Sequence, residues 1–138
     1  VAVAFVGNSA TAVSPTASAS GTIGTVAHNG TTVQLPYLTT FSDYNQRLVM
    51  VNRGSSDAAY TVSAFQTEAS TTAAAGTAAT GTIPAGGSMV VKVTDVVTLT
   101  GGTRSAGTVN IVAASGNISV ATTQVNLSDG GTDTIKLQ

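Results

Sequence analysis

Apolar and polar residues alternate along this chain in short runs separated by Gly, Asn and Asp, with no long helical periodicity. Alternation at a period of two puts successive side chains on opposite faces of a strand, so each run predicts one. Residues 1–6 (VAVAFV) are apolar on both faces, with Val1, Val3 and Phe5 on one side and Ala2, Ala4 and Val6 on the other. Further strands are expected over 21–26, 31–38, 46–52, 58–66, 88–94, 108–114, 118–127 and 134–137. In 46–52 the run Leu48-Val49-Met50-Val51 predicts a strand covered on both faces. In 58–66, Tyr60, Val62 and Ala64 share the inner face. In 88–94, Met89, Val91 and Val93 point inward, and Lys92 points outward with Val90 and Thr94.

The punctuation between these runs sets the organisation. Residues 7–20 are small and polar, interrupted by Pro15, and have linker character. Pro36 marks an edge or a bend, because proline cannot donate to a ladder. Residues 67–81 (TEASTTAAAGTAATG) are expected to form a loop, and 82–88 a strand end followed by a turn. A short helical turn is expected over 96–99, capped by Thr94 or Asp95. The large residues of 118–127 switch parity between Val120 and Val125, which predicts a bulge near Thr122 or Thr123. Many short strands with Gly-rich turns indicate an all-β chain, and the spacing favours an immunoglobulin-like two-sheet sandwich over residues 21–138. Residues 1–20 form an N-terminal apolar strand and linker outside it.

Composition narrows the possible work. Charged residues are 8% of the chain and the net charge is −1, against roughly 25% charged in ordinary soluble domains. Five scattered cations make no basic stripe, which argues against nucleic-acid binding. With no Cys and a single His, zinc, iron–sulfur and thiol chemistry have no ligand set. No apolar run is long enough to predict a membrane span. A chain opening on Val1, rich in Thr, Ala, Val and Gly, reads as a processed extracellular protein.

The runs RLVMVNRGSSDAAYTVSAF and GTIPAGGSMVVKVTDVV resemble bacterial extracellular immunoglobulin-like surface proteins, in which a strand ending in Val-Asn turns into a Tyr-Thr-Val strand and an Ile-Pro-Ala-Gly turn precedes a Val-x-Val strand. The likeness covers residues 44–99. Secreted fibre and pilin subunits are similar in their small, charge-poor composition. The resemblance implies a secreted or cell-surface location and assembly by strand exchange. Many chaperone–usher pilins carry a disulfide, and this chain has no Cys.

Candidate chemistry is sparse. His28 sits alone before a turn, with no nucleophile or carboxylate assigned to it by the sequence. Asp43, Asp57, Asp129 and Asp133 lie in turns and complete no calcium-loop pattern, so no metal or cofactor is expected. Lys92 has the outward parity of a solvated lysine, which argues against a Lys–Asn crosslink through the core. Asn29, Asn117 and Asn126 open Asn-x-Ser/Thr triplets. An enzyme is not expected.

The strand at 1–6 needs cover on both faces, and 14 linker residues give it reach. Either it folds back on its own domain, or it adds to the edge of a neighbouring copy. The second reading makes the chain a structural subunit of an extracellular filament or pilus, with Val1, Ala2, Val3, Ala4, Phe5 and Val6 at the subunit interface. A nearly uncharged exterior points the same way, since burial between copies removes it from water. The alternative is a carbohydrate- or surface-binding module of an adhesin, presenting Tyr37 or Tyr44, with Tyr60 turned inward. A virion or phage-tail component has the same composition.

Overall fold

The computed structural model describes residues 30–138. The strands expected at 1–6 and 21–26, the linker, His28 and Asn29 lie outside the described residues.

The chain is built from β1 (Thr31–Thr39), β2 (Tyr44–Asn52), β3 (Ala58–Thr67), β4 (Thr72–Ala75), β5 (Thr80–Ile83), β6 (Ser88–Lys92), α1 (Val93–Val96), β7 (Val97–Thr100), β8 (Arg104–Ile111), β9 (Ile118–Asn126) and β10 (Thr132–Lys136). Two four-stranded antiparallel sheets have the orders β1-β8-β3-β5 and β10-β9-β2-β6, and β4 pairs with β7 in a small third sheet. The protein is all-β and sandwich-like. Val33 and Leu35 of β1, Tyr60 and Val62 of β3 and Val109 and Ile111 of β8 share one buried cluster with Leu48 and Met50 of β2 and Ile118 and Val120 of β9. Each set alternates at the strand period, so one face of each sheet is removed from water.

β2 departs from the expected cover on both faces. Leu48 and Met50 are fully buried, whereas Val49 and Val51 are half-buried on the outer face. In β6, Val91 is inward, Met89 half-buried and Lys92 exposed, as the alternation required.

Further local expectations are corrected. Part of 67–81 is strand rather than loop: β4 pairs with β7, and Gly76 N–H donates to Val96 O at 2.8 Å. A Cβ at Gly76 would collide with the Asp95 carbonyl, so glycine is what lets these two segments of the chain meet. The helical turn lies at 93–96, three residues early, with no side-chain cap, and Val97–Thr100 is strand. That turn carries Val93, Val96 and Val97 onto the core together, which a strand continuing from β6 would not do. β9 runs in unbroken register with β2 from Tyr44↔Asn126 to Asn52↔Ile118, so it holds no bulge. Beyond Val120 neither face of β9 is fully buried, and nothing there enforces parity on the large residues.

The bulges are elsewhere. β1 slips register between Leu35 and Leu38, at Pro36-Tyr37, and β3 slips between Ser63 and Gln66, at Ala64-Phe65. Both flank β8, which begins at Arg104, four residues before the expected start. In β3 the bulge turns Ala64 out to solvent with φ +52° and tucks Phe65 against the core, correcting the expected inner face. Phe65 and Leu38 approach Gly107 from either side, and a Cβ there would crowd both.

Candidate functional site

The two long edges of the molecule differ. On one side β5 and β6 are joined by the turn at Pro84–Gly87, where Gly87 N–H donates to Pro84 O at 3.1 Å and Gly86 takes φ +61°. Asn52 anchors this side: its Nδ2 donates to Ser56 O at 2.8 Å and to Ile83 O at 3.4 Å, and its Oδ1 accepts from Gly54 N–H at 2.8 Å.

On the other side β1 and β10 are outer strands of their sheets, and β1 pairs only with β8 among the described residues. The ladder of β1 is broken by the bulge, and the orphaned backbone groups are taken up by Gln46 of β2. Its Oε1 accepts from Thr39 N–H at 2.7 Å, and its Nε2 donates to Tyr37 O at 2.9 Å and to Thr122 Oγ1 at 2.9 Å. Gln46 is buried and its amide hydrogens are fully used, so it holds β1 to β2 and β9 without closing the gap. Above it a cleft of about 70 Å³ opens between β1 and β10, walled by Pro36, Tyr37, Ile135 and Leu137. Ile135 is 54% exposed on its rim.

A second feature adjoins the first. Tyr37 and Arg104 are shared by two concavities of about 310 Å³ and 260 Å³. One is lined by Gln66, Glu68 and Ser105, the other by Thr39, Phe41 and Tyr44. The Phe41 and Tyr44 rings lie 6.0 Å apart at 46°. Arg104 Nε is 3.6 Å from Glu68 Oε1, both side chains well exposed.

The expected candidates fall as follows. Tyr60 is inward and donates its hydroxyl to Ala78 O at 3.2 Å, and burial raises its pKa above the ordinary value. Tyr37 is exposed and Tyr44 half-buried at the same end of the molecule. Asp129 does local turn chemistry, its Oδ1 accepting from Gly131 N–H at 2.8 Å, whereas Asp57 ties its loop to the distant Pro84–Gly87 turn, its Oδ1 accepting from Ala85 N–H at 2.9 Å. Asp133 walls the β1–β10 cleft. Among the described residues no three His, Cys, Asp or Glu side chains gather as a metal site, and no helix is long and apolar enough to cross a membrane. Lys92 and Asn117 are exposed, and Asn126 Oδ1 accepts from Ser128 N–H at 2.9 Å. Residues 1–6, the expected interface, lie outside the described residues. Sequence reasoning missed Phe41, Arg104, Glu68 and Gln46; the breaks in alternation at Pro36 and Ala64 were the available signal.

No family model, curated protein or solved structure matches this chain.

Proposed function

We propose that this chain is a structural subunit of an extracellular filament, polymerised by adding residues 1–6 of one copy to the open edge of β1 in the next. The observation that carries the reading is that edge: β1 has one neighbour among the described residues and stands beside an apolar cleft. The pairings support an immunoglobulin-like topology. β1-β8-β3 corresponds to strands B, E and D of that fold, and β10-β9-β2 to G, F and C. In that correspondence the place of strand A is the outer edge of β1. The segment 72–100 is then an insertion between D and E.

An added strand hydrogen-bonds along Thr31–Leu35 and drops alternate side chains toward the cleft. At about 70 Å³ the cleft is half the roughly 150 Å³ that accepts a benzene ring. It therefore has room for a side chain the size of Val1 or Val3 and is too small for a ring the size of Phe5. No catalytic chemistry is needed for this role, and a secreted bacterial location suits it.

Electron microscopy of the intact chain, of a chain lacking residues 1–14, and of Ile135→Glu tests the reading. Fibres are expected from the first alone, and a synthetic VAVAFV peptide should raise the melting temperature of the truncated chain. Monodisperse monomers from the intact chain, with residues 1–6 protected from exchange at every dilution, would mean the strand closes its own subunit and would end the filament reading.

A further inference from the structure

The aromatic end of the molecule carries a separate inference, which does not depend on whether the chain polymerises. The described residues contain five aromatic side chains, and three of them, Tyr37, Phe41 and Tyr44, gather at one end of β1 and β2. Tyr37 and Phe41 are 42% and 43% exposed. In a chain with 4% aromatics, large rings left half in water at one place need a reason, since burial of such rings is a main source of stability.

The surroundings supply it. The two concavities adjoin at Tyr37 and Arg104, which line both, so the pair makes a two-lobed trough divided at those side chains. Its floor is held rather than loose. Gln46 bonds the backbone on both sides of Leu38, Thr40 N–H donates to Thr103 O at 2.9 Å, and Thr39 Oγ1 donates to the same carbonyl at 3.1 Å. The bulge in β1 turns Tyr37 out while Leu38 stays buried, and the bulge in β3 brings Gln66 level with Ala106 of β8. Bulges of this kind re-aim side chains at binding sites.

We infer that this trough binds a neutral oligosaccharide, with one sugar ring on each side of Tyr37. The aromatic faces suit the apolar C–H faces of pyranose rings. The Arg104–Glu68 pair and the exposed amide of Gln66 offer both donors and acceptors, as vicinal hydroxyls require. The pair is charge-balanced, so the trough lacks the net positive charge that a polyanion or an acidic sugar needs. Each concavity stands near the lower end of the roughly 300–1,000 Å³ range of small-molecule sites, which suits single rings.

Saturation-transfer NMR and calorimetry on the intact chain, with cellobiose, lactose, mannobiose, chitobiose and galacturonic acid as probes, test the site. At least one neutral disaccharide is expected to bind. Phe41→Ala and Arg104→Gln are each expected to weaken that binding about tenfold or more, while Val112→Ser, an exposed position beyond the opposite end of β8, leaves it unchanged. Melting curves establish that the variants are folded, and Tyr37→Phe keeps the ring and should retain most of the affinity. Absence of binding by all neutral disaccharides, preferential binding of galacturonic acid, or equal affinity in Phe41→Ala and the parent would overturn the proposal. Loss of sugar binding with intact fibres separates this site from assembly.

Discussion

The β5–β6 side and the β1–β10 side of this protein solve the same problem in opposite ways. Both are places where two sheets end and a core must be kept dry. On the β5–β6 side the chain itself crosses between sheets, and Ile83, Val93, Val96 and Val97 are fully buried behind the turn. On the β1–β10 side no turn joins the two edge strands to each other among the described residues, and one buried amide, Gln46, ties β1 to β2 and β9. Apolar side chains there stay in solvent, Tyr37 and Ile135 among them. The first arrangement closes the two sheets over the core; in the second, β1 keeps one edge without a neighbour among the described residues.

Truncation breaks the closed side most. Ile83→Ala removes a fully buried side chain, and the cost expected for such cavities is about 2–5 kcal/mol. Urea unfolding measures it. The corresponding change on the open side, Ile135→Ala, is expected to cost under about 1 kcal/mol while reducing fibre formation. Equal costs would erase the distinction between the two sides.

Gln46→Leu comes next. It strands Thr39 N–H and Tyr37 O and leaves Thr122 Oγ1 without its donor. Unsatisfied buried groups cost about 1–3 kcal/mol each, so a loss near 3 kcal/mol is expected, with amide exchange accelerated in β1 before β3. Uniform acceleration would mean that Gln46 does not serve the open side in particular.

Ser105→Ala is expected to act in the other direction. Ser105 Oγ is buried and has no hydrogen-bond partner, and it shares the core-facing parity of Gly107 and Val109. Replacing it with a methyl group removes that desolvation cost, and a gain of about 1 kcal/mol is expected by the same unfolding assay.

The smallest effect is in pH. The Tyr60 hydroxyl is shifted upward by burial on the closed side. The folded state therefore favours the protonated phenol. Its contribution is fully present below the ordinary tyrosine pKa of about 10, and it is lost as pH rises through the folded value. Melting temperature should fall above that range in the parent, and Tyr60→Phe should flatten the fall. An unchanged slope in the variant would remove Tyr60 as its cause.

How much of this was legible depended on whether a residue's environment was local. Alternation in 60–62 and 89–91 identified the strands and their inner faces, because a pleated strand with one buried face leaves no other arrangement of its apolar residues, whereas the unbroken apolar run at 48–51 hid which of its faces was the outer one. Tyr60 inward and Lys92 outward followed from the same parity. The Gly-rich turn at Asp129–Gly131 was likewise fixed within a few residues, whereas the Asp57 bond to Ala85 reaches 28 residues along the chain.

What only the tertiary structure decided is pairing across distance. β4 became a strand because β7 lies beside it, not because TAAA favours one. The bulges went to Pro36-Tyr37 and Ala64-Phe65 because both strands flank Gly107 of β8, a neighbour more than 40 residues away in each case. Phe41, Tyr44, Glu68 and Arg104 meet at Tyr37 only after the sheets have formed, since a trough is a property of surfaces, and periodicity reports only one strand at a time.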